Sequence, residues 1–134
     1  HLAALLAANV DDLGPDGLLV PVPLHPSRLK ERGYNQSALL AARVAETLGW
    51  PWAGVLGRTR ATGQQARLGA AERRANVVGA FAFAPGWDGY RVAGRRIVLV
   101  DDVFTTGATA GACADVLVAA GAAEVVVATL AREA

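Results

Sequence analysis

The stretch Ile97-Val98-Leu99-Val100-Asp101-Asp102-Val103-Phe104-Thr105-Thr106-Gly107-Ala108-Thr109 decides the fold. Ile97 to Val100 are consecutively apolar, without the alternation of a strand that is wet on one side. They predict a strand covered on both faces, as in a parallel α/β sheet. Asp101 and Asp102 close that run, at the carboxyl end of the strand, where open α/β sheets bind their ligands. The small polar turn Thr105 to Thr109 leads into an alanine-rich segment with the composition of a helix. Gly107 lets the backbone turn its N–H groups toward an anion, and the start of the helix adds partial positive charge. An acidic pair beside an anion cradle suits a sugar phosphate. The carboxylates accept hydrogen bonds from two ribose hydroxyls while the turn holds the phosphate.

Working outward, 134 residues make one domain, 1–134, large enough to bury a substantial core. An apolar content of 53% and a charged fraction of 19% belong to a globular chain and exclude a disordered one. The net charge of +1 conceals an asymmetry: the basic residues are twelve Arg and the single Lys30, with Arg58, Arg60, Arg67, Arg73 and Arg74 close together. Arginine's planar fork suits phosphate or carboxylate, although a high ratio of Arg to Lys is also a genomic composition bias. Cys113 is the single cysteine, so no intrachain disulfide forms and nothing points to secretion. No apolar run reaches the roughly 20 residues that span a bilayer, which predicts a cytoplasmic protein with no membrane insertion. The chain starts at His1 and contains no Met, which predicts a fragment or a processed chain.

Leu2, Leu5, Leu6 and Val10 predict a short amphipathic helix, ended by the turn formers from Asp11 to Gly17. Leu18 to Val22 predict a first strand, with Pro21 and Pro23 directing the chain into a loop. That loop carries His25, Arg28, Lys30, Arg32, Asn35 and Gln36 toward the side of the sheet that holds Asp101 and Asp102. Leu40, Val44 and Leu48 form the stripe of the next helix, with Arg43 and Glu46 outward and Gly49 as its C-terminal cap. Trp50 and Trp52 are expected to cover the core edge before a short strand near Ala53 to Leu56. Arg58 to Asn76 is a long polar loop, of the kind that serves as a lid or a solvated linker. Phe81 and Phe83 predict a strand, and Pro85 to Gly89 a turn. Cys113, Val116, Leu117 and Ala120 make the buried stripe of a helix that ends at Gly121, which leaves Cys113 as a core hydrophobe. Val125 to Leu130 predict a second fully buried strand.

The opening stretch closely resembles the phosphoribosyl pyrophosphate (PRPP) motif of type I phosphoribosyltransferases. A second block, Val20 to Ser37, is similar to the hallmark loop of the ComF family, a phosphoribosyltransferase-like branch named for natural competence. The matching positions there are Pro21, Val22, Pro23, His25, Arg28, Arg32, Gly33, Tyr34, Asn35 and Gln36, with Tyr34 where many members carry Phe. Thr62, Gln65, Leu68, Arg73, Asn76, Val77, Ala80 and Phe81 match a third, spaced pattern. The resemblance implies a type I phosphoribosyltransferase fold, a Rossmann-like central parallel sheet flanked by helices with a mobile loop. The four-cysteine, zinc-binding-like segment that family members often carry at the N-terminus is absent before His1.

The reaction so implied is displacement of pyrophosphate from PRPP by an unidentified small-molecule acceptor, with Mg²⁺ expected alongside PRPP. Asp101 and Asp102 would be the catalytic pair, and Thr105, Thr106, Gly107, Ala108 and Thr109 would hold the 5′-phosphate. His25, Arg28, Arg32, Asn35 and Gln36, with Gln65 and Arg73 from the lid, would meet the pyrophosphate. No residue is expected to bind metal directly, Asp101 and Asp102 reaching it through water. Two other classes stay open: a non-catalytic PRPP or nucleotide-binding regulatory module, and a competence accessory that binds single-stranded DNA or a helicase partner through its arginines. The sequence contains no P-loop, dinucleotide fingerprint, zinc cluster or nucleophile elbow. It does not specify the acceptor or the oligomeric state.

Overall fold

The computed structural model describes residues 17–24, 30–31, 33–59, 80–104 and 108–132, with the backbone alone at 90, 102–104 and 130–132. The elements run β1 (Gly17–Pro21), α1 (Gln36–Leu48), β2 (Leu56–Arg58), β3 (Phe81–Phe83), a 3₁₀ turn (Gly89–Arg91), β4 (Arg96–Phe104), α2 (Ala108–Ala119) and β5 (Glu124–Arg132). The expected helix near the N-terminus lies outside the described residues.

β4 is the central strand. It pairs in parallel with β1, from Gly17 opposite Arg96 to Pro21 opposite Val100, and with β5, from Arg96 opposite Glu124 to Phe104 opposite Arg132. Parallel neighbours need crossovers, so each helix is set against a face of the sheet. Side chains alternate along the strands. Leu18, Val20, Ile97 and Leu99 pack with Cys113 and Leu117 of α2 and with Leu56 and Phe81. Leu19, Val98 and Val100 pack with Leu40, Ala41, Val44 and Ala45 of α1. Ile97 to Val100 are wholly buried, as their uninterrupted apolar run requires.

α1 follows its pattern closely. Leu40 and Val44 face inward, Arg43 and Glu46 outward. Gly49 closes the helix in the left-handed conformation, φ +72°, and its N–H donates to the Ala45 carbonyl. A residue without a Cβ adopts that turn at little cost.

Three expectations change. The strand expected near Ala53 to Leu56 is displaced to Leu56–Arg58. Residues 52 to 58 exchange one partner for another: Trp52 bridges Leu19 of β1, whereas Leu56 to Arg58 pair antiparallel with Phe83 to Phe81. The apolar run that ends at Val100 is only the first part of β4, because β5 continues to pair the backbone as far as Phe104. β5 itself is not fully buried. Ala128 is buried, but Val127 is 38% exposed, since β5 ends the order β1-β4-β5 and the helices cover it only in part. No helix among the described residues is long and apolar enough to cross a membrane.

Candidate functional site

The site is built at the carboxyl end of the sheet, where β1 stops before its neighbour. Pro21 lies opposite Val100, and Val22 N–H donates to the Val100 carbonyl at 2.9 Å. Asp101 and Asp102 therefore stand in β4 just past the end of the β1 ladder, with Asp101 opposite Thr129 of β5. Alternation turns Asp101 to the α2 side, the side of Ile97 and Leu99. α2 begins at Ala108, so Ala108 and Thr109 open the helix close after the acidic pair. Thr105, Thr106 and Gly107 lie outside the described residues.

Cys113 of α2 is wholly buried, and burial pushes its thiol from an ordinary value of 9.0 up to about 12. Arg58 opposes that shift and Asp101 adds to it, so both charges lie within electrostatic reach of the one sulfur. Charges on β2 and β4 thus both act on a thiol of α2. The Arg58 guanidinium also stacks on Phe81, 5.0 Å from the ring centroid. Arg58 is a site neighbour that the loop motifs do not single out. Its signal in the sequence is position alone, at the last residue of β2.

The loop after β1 is represented by its two ends. Asn35 caps α1: its side-chain oxygen accepts from the N–H groups of Ser37 at 2.9 Å and Ala38 at 3.3 Å. Its Nδ2 donates to the Val22 carbonyl at 3.2 Å. The carboxamide thereby ties the helix start to the end of β1. Gln36 is exposed at the first position of α1. His25, Arg28, Arg32, Gln65 and Arg73 lie outside the described residues.

The two tryptophans part company. Trp50 packs against Leu19 and its cluster and lies over Gly17, where a Cβ would enter its ring. Trp52 does not cover the core; it is 42% exposed and lines a cleft between the end of β1 and the β2–β3 pair. The backbone bridge to Leu19 fixes Trp52 at the sheet margin.

Comparison with known proteins places this arrangement. No family model matches the chain. It is 41% identical over 132 residues to the DNA utilization protein YhgH of Escherichia coli O157:H7, covering 98% of this chain and 56% of that protein. It is 35% identical over 133 residues to competence protein F of Haemophilus influenzae, covering 98% and 57%. The chain is homologous to both over nearly its whole length, and the second name agrees with the resemblance of its loop to the ComF pattern. It spans little more than half the length of these curated relatives. Two solved structures share its fold. One is a purine phosphoribosyltransferase from Pyrococcus horikoshii, with a TM-score of 0.61 at 19% identity over 98% of this chain and 70% of that one. The other is a hypoxanthine-guanine phosphoribosyltransferase from Bacillus anthracis, with a TM-score of 0.65 at 13% identity over 99% and 68%. The fold is accordingly that of type I phosphoribosyltransferases, as the PRPP-like motif implies.

Proposed function

We propose that this chain is the phosphoribosyltransferase domain of a ComF-family protein, which binds PRPP and transfers its phosphoribosyl group to a small-molecule acceptor with release of pyrophosphate. The observation that carries this reading is the position of Asp101 and Asp102, just beyond the β1 ladder on β4 and closely followed by the start of α2. On this fold, that end of the sheet is where a ligand is received.

In the transfer, the bond from C1 of the ribose to the pyrophosphate oxygen breaks and a bond from the acceptor's lone pair to C1 forms. The sugar passes through a cationic, oxocarbenium-like state, so the site has to position and to stabilise charge. Asp101 and Asp102 accept the ribose hydroxyls and oppose that positive charge. Thr105 to Thr109 present N–H and hydroxyl donors to the 5′-phosphate, each such bond contributing on the order of 1.5–3 kcal/mol. His25, Arg28, Arg32, Gln36, Gln65 and Arg73 are assigned to the pyrophosphate. Asn35 serves them indirectly, because its carboxamide is engaged in ordering the loop end. A magnesium ion would be carried on pyrophosphate oxygens and water, with Asp101 and Asp102 holding it through water, and would neutralise the leaving group. A cytoplasmic setting is part of the same proposal.

Calorimetry with PRPP and Mg²⁺, followed by a pyrophosphate-release assay across candidate acceptors, tests the reading. Absence of PRPP binding by the full-length protein would sink it. Binding with no release from any acceptor favours a regulatory module instead. The names of the relatives support a second reading, a role in DNA use or uptake in which Arg58, Arg60 and Arg67 contact single-stranded DNA or a helicase. Its signature is DNA binding that falls steeply with salt and is lost when those arginines are replaced.

A further inference from the structure

The two edges of the sheet differ. At β1 the outer edge is taken: Leu19 N–H donates to the Pro51 carbonyl at 3.1 Å, Ala53 N–H donates to the Leu19 carbonyl at 3.0 Å, and Trp52 bridges Leu19. β5 ends the order β1-β4-β5, and among the described residues nothing pairs with its outer side. Val127, near its middle, is 38% exposed. Proteins commonly blunt an open edge with proline, lysine, a bulge or a very short strand. β5 has none of these. Its nine residues, EVVVATLAR, keep one constant parallel register with β4, and its charges, Glu124 and Arg132, stand at its two ends.

Alternation fixes which backbone groups face outward. Val22 N–H donates to the Val100 carbonyl at 2.9 Å, so Val98 and Val100 bond toward β1, and Ile97, Leu99 and Asp101 toward β5. In a parallel ladder each of these reaches the residues on either side of its own partner, which for Leu99 are Val126 and Ala128. Val125, Val127 and Thr129 therefore turn their N–H and C=O groups to the open edge.

The strand is complementary to itself. Set antiparallel to a second copy about a two-fold axis at Ala128, its midpoint, it places Glu124 opposite Arg132 of that copy at both ends. Val127 then lies opposite Thr129 and Val125 opposite Ala131, all outward-bonding positions, so these pairs exchange both hydrogen bonds. Ala128 meets itself in a non-bonded pair, where the Cα atoms approach to about 4.5 Å and a small side chain fits.

We propose that β5 is the dimerisation edge of this chain, a second copy pairing antiparallel along Glu124–Arg132 and joining the two sheets into one. The interface goes beyond the PRPP reading and does not depend on it, because antiparallel pairing leaves the carboxyl ends of the two sheets pointing in opposite directions.

Sedimentation of the full chain, from micromolar to near-millimolar concentration, is expected to show an equilibrium that reaches twice 13.8 kDa. Val127→Pro deletes an outward N–H and spares the β4 ladder, so it should raise the dissociation constant about 30–100-fold, two donors being lost per dimer. Mild oxidation should trap Ala128→Cys as a covalent dimer and leave Val126→Cys monomeric. Residue 128 meets its own copy within disulfide reach, whereas residue 126 stands opposite Leu130. Cys113 is wholly buried and stays silent in both variants. A mass of 13.8 kDa at every concentration would overturn the proposal. A dimer left intact in folded Val127→Pro would do the same, as would equal cross-linking of the two cysteine variants, a comparison that decides the matter even if Val127→Pro does not fold. A monomer whose Val125, Val127 and Thr129 amides resist hydrogen exchange would mean that the chain covers this edge itself, and would also overturn it.

Discussion

Asn35 joins the start of α1 to the end of β1: its Nδ2 donates to the Val22 carbonyl at 3.2 Å, while its side-chain oxygen receives the first N–H groups of the helix. One carboxamide thus sets where the loop between strand and helix ends. Asn35→Ala removes the cap and the link together and is expected to cost roughly 2 kcal/mol in urea unfolding. Asn35→Asp keeps the acceptor for the helix but loses the donor to Val22, so its loss should be about half as large. Equal stability of the two variants would show that the link to Val22 contributes nothing.

The packing of Trp50 on Gly17 gives a second expectation. A Cβ at Gly17 would enter the indole ring, and the ring belongs to the cluster around Leu19 and Val98. Gly17→Ala should destabilise by about 1–3 kcal/mol through overpacking. Combining it with Trp50→Leu should recover part of that loss, a coupling that a double-mutant cycle measures. Additive effects would place the cost elsewhere.

Cys113 carries a dependence on pH. Burial raises its thiol from 9.0 to about 12, so the folded state holds a proton that the unfolded chain releases near pH 9. The contribution to stability is complete below about pH 9 and is lost as pH climbs toward about 12. The slope is at most about 1.4 kcal/mol per pH unit. Subtracting the unfolding free energies of Cys113→Ala from those of the native chain over this range should reveal that decline. A flat difference would mean that the thiol is not held neutral.

Replacing the acidic pair tests the donor site. On the proposed function, Asp101→Asn and Asp102→Asn would each remove a charged acceptor of ribose hydroxyls, and each should weaken PRPP binding roughly 10–100-fold in calorimetry. Unfolding curves recorded on the same samples separate loss of ligand from loss of fold. Undiminished PRPP affinity in the double variant would remove the pair from the site.

The sequence by itself determined the elements whose signals lie between near neighbours in the chain. Four apolar residues in a row at Ile97 to Val100 meant a strand covered on both sides, and the four strand residues are wholly buried. The spacing of Leu40 and Val44 set the buried face of α1, and Gly49 its end. The motifs around Asp101 and in the loop after β1 were legible in the same way, and they pointed to the homologues and the fold. Asn35 shows where the motif stopped being informative: its residue type suits a ligand contact and a helix cap equally, and the structure commits the side chain to the cap.

Tertiary structure decided what depends on partners distant in sequence. Trp50 and Trp52 share one local context, yet Trp50 packs over Gly17 and Trp52 is left on an open cleft, because Trp52 is bridged to Leu19 at the sheet margin. β4 runs past its apolar stretch to Phe104 because β5 lies alongside to take its hydrogen bonds. Arg58 and Asp101 both act on the Cys113 thiol because β2 and α2 pack into the same core cluster on one side of β4. Chain periodicity encodes which face of an element is apolar. Which elements then face one another follows from strand order and crossovers, and those are settled only when the whole core is buried at once.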